Sequence, residues 1–172
     1  MLIKLIENTD YKYDSVYRFY GWEHAEDIAP IKDCGYKNIG ELYLALLKAW
    51  SRETCSAKFR HAWSPENPSV GQCTITAAIV HELFGGEVMG LPLYGGGMHS
   101  FNRINGITVD LACEQFGKNA LLDFDAAVST DADSLLQSTD KAERCELLRE
   151  NLMKLRGTPH NTPAASAGYN VP

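Results

Sequence analysis

An α+β domain built on an antiparallel sheet is the fold class this sequence predicts, on three observations. Helical and strand signals are segregated along the chain, which favours helices against an antiparallel sheet over a doubly wound parallel one. Asn105-Gly106 separates two alternating runs, "HSFNRI" and "ITVDL", the strongest short-range sign of a hairpin. Ahead of them, "CTITAAIVHELF" is an apolar helical run whose first residue is a cysteine, Cys73.

The elements follow in order. Residues 1–37 are aromatic and mixed, with "LIKLI" and "SVYRFYGW" as candidate short strands in an N-terminal extension packed on the domain. A helix is expected after Asn38, since Leu42, Leu46 and Trp50 recur at a spacing of four with Ala45 and Ala49 beside them. Residues 51–71 form a long segment rich in Ser, Pro, Asn and Gly, and irregular stretches of that length in a small domain tend to carry function. The Cys73 helix follows, with Gly85-Gly86 as a left-handed stop. "EVMGLPL" reads as a strand and "YGGGM" as a glycine loop leading to the hairpin. From 140 to 156, Cys145, Leu148, Leu152 and Leu155 fall at steps of three and four, an amphipathic helix ended by Gly157. The main domain is thus expected at 38–156, behind the extension at 1–37, with 157–172 a mobile tail of little buriable surface.

Composition narrows the function. Among 172 residues, 22 acidic against 16 basic give a net charge of −6, and no Lys/Arg run makes a phosphate-binding patch, which argues against nucleic acid as a partner. The N-terminal sequence carries no signal-peptide stretch, and no segment has the apolar length of a membrane span. Five cysteines, an odd number with no C-x-x-C pair, suit a reduced cytoplasmic protein better than a disulfide framework or a zinc site. His81-Glu82 lacks the second histidine of an H-E-x-x-H metal motif, and Gly95-Gly96-Gly97 lacks the following helix and Lys of a phosphate loop. No metal or cofactor is expected.

The hairpin permits a geometric test. With Asn105-Gly106 as a two-residue turn, Ile104 faces Ile107 and Asp110 lies opposite Phe101. His99 then stands two residues along on the face of Asp110, within reach of its carboxylate. Asn102 points to the other face. A sulfur in the first turn of a helix sits where N–H groups and the dipole favour thiolate, so Cys73, His99 and Asp110 supply the nucleophile, base and orienting group of covalent catalysis. The plainer alternatives are a small buried Cys73 and a surface His–Asp pair worth little.

The strings "WSPENPSVGQCTITA", "FGGE", "HSFNRINGITVDL" and "QF" resemble those of the YunG-like proteins, a bacterial group, over roughly residues 39–116 and the closing helix. Ala112 departs from the usual D-L-T. More distantly, the order Cys, His, Asp on helix, strand and next strand is similar to papain-like and transglutaminase-like cysteine enzymes. That resemblance implies a papain-like core with Cys73 as nucleophile, His99 as base and Asp110 as orienter. It also makes Gln72 or Asn67 candidate oxyanion donors, although both fit turn and cap chemistry, and Trp63 a candidate cleft wall or packing residue. The function implied is a thiol hydrolase or acyl-transferase acting on an amide or isopeptide bond of a protein or peptide through a thioester: a protease, deamidase or transglutaminase type. The rival is a non-catalytic binding or scaffold module that docks a partner through residues 51–71.

Overall fold

Asn38 opens α1 (Ile39–Ala49): its side-chain oxygen accepts the Glu41 N–H at 2.9 Å, and the Glu41 carboxylate reaches back to the Lys37 N–H at 2.8 Å. These bonds satisfy donors that a helix start otherwise leaves open. The apolar stripe does the rest, for Leu42 and Leu46 are wholly buried, each worth about 1.5–3 kcal/mol. The computed structural model, which describes residues 19–93, 96–117 and 122–157, continues with α2 (Cys73–Phe84) and closes with α3 (Thr139–Gly157). Gly85, at φ 73°, stops α2 with its N–H on the His81 carbonyl.

Four strands, β1 (Glu87–Pro92), β2 (Met98–Ile104), β3 (Ile107–Val109) and β4 (Val128–Thr130), pair antiparallel in the order β3-β2-β1-β4. Together with the three α-helices they make the domain α+β among the described residues. Both residues of the β2–β3 turn, Asn105 (φ 51°) and Gly106 (φ 81°), are left-handed, the requirement of a type I′ hairpin. Ile104 pairs with Ile107 and Asn102 with Val109, the register expected from the turn. Strand β4 has no counterpart in the sequence reading. It is three residues long and mostly exposed, so neither alternation nor a hydrophobic run announces it.

The sheet has two differently covered faces. Val88, Asn102 and Ile104 face the helices: Ile104 joins Ile39, Leu42, Leu46, Ile75, Ile79, Leu148 and Leu152 in the main core, Val88 packs with Ala77 and Leu135, and the Asn102 amide donates to the Ala77 carbonyl at 3.0 Å. On the other face Met89, Leu91 and Phe101 form a second core with Phe116. Gly96 and Gly97, both left-handed, lie in the connection between β1 and β2.

Two expectations need correcting. The described part of "SVYRFYGW" forms no strand: Tyr20 makes one β-bridge to Asp110, and Trp22–His24 is a 3₁₀ turn, while Phe19, Ala25 and Ile28 enter the main core. "LIKLI" and the tail beyond Gly157 lie outside the described residues. In α3, Cys145, Leu148 and Leu152 are buried but Leu155 is exposed, because the last turn runs past the core. Among the described residues no helix is long and apolar enough to cross a membrane.

The return from α2 to β1 should be intolerant of side chains. At Gly86 (φ 76°) a Cβ would run into the Arg103 carbonyl and come 3.0 Å from the Ile104 Cα, whereas at Gly97 (φ 95°) it would meet nothing. Gly86→Ala is expected to cost at least about 2 kcal/mol and Gly97→Ala only about 1 kcal/mol. Denaturant midpoints of the two variants check this, and equal losses would contradict it.

Candidate active site

The hairpin carries His99 on β2 and delivers Asp110 one residue beyond β3. There the backbone of Asp110 is held by Tyr20, with Asp110 N–H on the Tyr20 carbonyl at 3.0 Å and Tyr20 N–H on the Asp110 carbonyl at 3.3 Å. The carboxylate is thereby aimed at the imidazole: Oδ2 lies 2.6 Å from His99 Nε2, and Oδ1 accepts the Ala112 N–H at 3.0 Å. Both residues are 0% exposed. Phe116 meets the ring edge-on at 4.7 Å between centroids and Phe101 lies stacked at 6.0 Å, so His99 is fixed in place as well as paired.

Cys73 is the first residue of α2, and no side chain caps that helix start. Pairing between β3 and β2 stops at Asn102↔Val109, so Ser100, two residues earlier on β2, lacks a β3 partner. Its backbone N–H acts on the Cys73 sulfur instead. The sulfur thus occupies the edge β3 leaves, reachable by His99 from the far face of the sheet. With Nε2 turned to Asp110, Nδ1 is the ring nitrogen left for it.

Proton affinities follow from this arrangement. Burial alone would push the Cys73 thiol up, but hydrogen bonding and charge from His99, then the Ser100 N–H and the Thr74 hydroxyl, outweigh it and bring the thiol from 9.0 to about 7. Burial would likewise push His99 down, yet the charge and hydrogen bond of Asp110, with those of Cys73, raise it from 6.5 to about 10. The lowered thiol and the raised imidazole both favour a thiolate–imidazolium pair near neutral pH. Three other thiols behave oppositely: burial pushes Cys55 up to about 11, Cys113 well above its ordinary value, and Cys145 upward.

The remaining sequence candidates are placed differently. Gln72 is wholly buried and its Nε2 donates to the Ser51 carbonyl at 3.0 Å. Its amide ties the start of α2 to the chain leaving α1. Asn67 is buried within its own turn, its Oδ1 accepting the Ser69 hydroxyl at 3.3 Å. Trp63, half-buried, donates its indole N–H to the Pro68 carbonyl at 3.1 Å and so fastens the loop before Cys73. His81 closes α2 with Nδ1–H on the Gly86 carbonyl at 2.9 Å. One residue escaped the sequence reading: Gln115, buried in the 3₁₀ turn Cys113–Phe116, with its Nε2 3.3 Å from His99 Nδ1. Among the described residues no cluster of His, Cys, Asp or Glu is grouped as metal ligands.

Comparison with known proteins gives two matches. The family described as "YunG protein" matches residues 38–156. "Uncharacterized protein YunG" of Bacillus subtilis (strain 168) is 31% identical over 105 residues, covering 61% of this chain and 83% of that protein. No solved structure matches.

Asp110→Asn tests the electrostatics. The Ala112 N–H keeps the Asn oxygen, which leaves an NH₂ group facing Nε2–H, so the imidazolium loses its counter-charge and its acceptor. The pH of half-maximal Cys73 alkylation should rise from about 7 toward 9.0, slowing reaction at neutral pH about tenfold. A profile matching the parent's would show that Asp110 does not act through His99.

Proposed function

The chain belongs to the YunG family, and from its geometry we propose that it is a cysteine hydrolase or acyl-transferase acting on amide or isopeptide bonds, with Cys73, His99 and Asp110 as its catalytic and orienting groups. One observation carries this reading: a fully buried imidazole has its Nε2 on a carboxylate at 2.6 Å, and its charge and hydrogen bonding lower the thiol of a cysteine at an uncapped helix start. A structural cysteine has no need of a paired histidine, and a structural His–Asp pair has no need of a thiol.

The chemistry follows in two steps. The Cys73 thiolate attacks the amide carbonyl carbon and forms the C–S bond. The Cys73 N–H, free of any side-chain cap, is the nearest backbone donor for the developing oxyanion. The C–N bond then breaks as His99 Nδ1–H protonates the departing amine, leaving a thioester. Water or a second amine attacks that thioester, gives its proton to Nδ1, and frees the Cys73 thiolate, restoring the starting thiolate–imidazolium pair. Water makes the protein a protease, isopeptidase or deamidase; an amine makes it a transglutaminase. The chain order of cysteine on a helix, histidine on a strand and carboxylate beyond the next strand is similar to papain-like and transglutaminase-like enzymes, and we take the core as a variant of that plan. The five free thiols suit a reducing compartment, which supports a cytoplasmic location.

A peptidyl acyloxymethyl ketone probe, followed by mass spectrometry of the intact and digested protein, tests the assignment. The expected product is a single adduct on Cys73, absent from Cys73→Ala, whose thermal midpoint should correspond to a loss of about 1 kcal/mol or less. No adduct on Cys73, or a Cys73→Ala variant that melts many degrees lower, would replace this reading with that of a non-catalytic binding module.

A further inference from the structure

Gln115 has no part in the steps above, yet it is only 2% exposed and lies against the ring nitrogen those steps use. Its Nε2 is 2.9 Å from the Ala112 carbonyl oxygen and 3.3 Å from His99 Nδ1, and its Oε1 accepts the Gly71 N–H at 3.4 Å. Two of these contacts settle which way the amide points, because a carbonyl demands a donor and an N–H demands an acceptor. The group facing Nδ1 is therefore an N–H. Such a group can bond to Nδ1 only while that nitrogen carries no proton, the state in which the ring hydrogen sits on Nε2 and is donated to Asp110.

We propose that Gln115 is a positioning residue that holds His99 Nδ1 unprotonated as a hydrogen-bond acceptor, keeping the ring competent as a base at the step where Cys73 is already acylated. The proposal rests on the function argued above, and it answers a problem that function raises. Asp110 stabilises a protonated ring, which suits the thiolate pair but not the thioester stage. Once the sulfur is acylated its charge is gone, and the ring must accept a proton from water or an amine. With Nδ1 protonated, two N–H groups would face each other across the Gln115 contact; with Nδ1 bare, they form a bond. Gln115 thus counterbalances Asp110. The same side chain also reaches Gly71, two residues before Cys73, so it spans the turn before the nucleophile and the ring of the base.

Other groups around the ring do not supply this balance. The titratable groups acting on it are Asp110 from beyond β3 and Cys73 from α2, while Phe101 from β2 and Phe116 from the 3₁₀ turn cover it without charge. Beside Gln115, the Glu114 carboxylate accepts the Tyr43 hydroxyl at 2.8 Å, and burial, with the Asp110 charge adding to it, holds the Cys113 thiol well above its ordinary value.

The test is an NMR titration of the His99 ring in a Cys73→Ala background, where no thiol contributes and no activity is needed. Adding Gln115→Met should raise the His99 midpoint by about half to one pH unit, because one neutral hydrogen bond to the unprotonated ring is lost. A midpoint that stays put or falls in the folded variant overturns the proposal, since mere loosening of the His99–Asp110 contact would lower it. Gln115→Leu repeats the measurement if the Met variant does not fold. In the Cys73→Ala protein itself, ring nitrogen shifts at the alkaline end should show the Nε2–H tautomer with Nδ1 as acceptor; an Nδ1–H tautomer would also overturn it. Failure of the probe on Cys73 would sink the proposed function without moving these readouts, so the two outcomes are separable.

Discussion

Burying an imidazole together with a carboxylate is costly unless each finds the other and the remaining polar atoms find partners. Here His99 and Asp110, both without solvent exposure, meet at 2.6 Å, and the second carboxylate oxygen takes the Ala112 N–H. Much of the surrounding structure serves that one contact. The type I′ turn sets the register that brings the two residues to one face, Tyr20 holds the Asp110 backbone, and Phe101 and Phe116 close over the ring. Removing either partner would leave an uncompensated buried polar group, a far larger penalty than the pair's net stabilisation.

The same contact decides the chemistry of a residue on another element. Cys73 gains its lowered proton affinity first by overcoming its own burial, and what overcomes it is the ring that Asp110 charges. Cys55 shows what burial does without such help: its thiol is pushed up to about 11. Position on α2 contributes too, since Gln72 turns its side chain inward to Ser51 and leaves the helix start uncapped. Local sequence, sheet register and loop packing therefore converge on one sulfur atom.

The parts of this arrangement that were legible in the sequence are those governed by local rules. Asn105-Gly106 imposes its own turn, and a two-residue turn leaves a single register, so the neighbourhood of His99 and Asp110 follows by counting. Asn38 and the stripe through Leu42 and Leu46 mark α1 in the same way. What escaped depends on distant chain. The Gln72 amide meets the Ser51 carbonyl, a partner that sequence spacing does not reveal. Gln115 sits in a 3₁₀ turn whose direction is set by packing against the second core, and nothing in "CEQF" says which side chain meets His99. Strand β4 exists only because β1 offers it an edge. The dipeptide Gln115-Phe116 formed part of the family resemblance, and that was the signal available for it.

The central claim is that Cys73 is held as a thiolate by the His99–Asp110 pair, and thiolate absorbance reports this without requiring a substrate. An ultraviolet difference titration of the parent against Cys73→Ala isolates the one sulfur from the other four cysteines. The account predicts a difference signal that rises with a midpoint at about pH 7. A midpoint at the ordinary thiol value of 9.0 or above would contradict it, and would return Cys73 to the role of a buried structural residue.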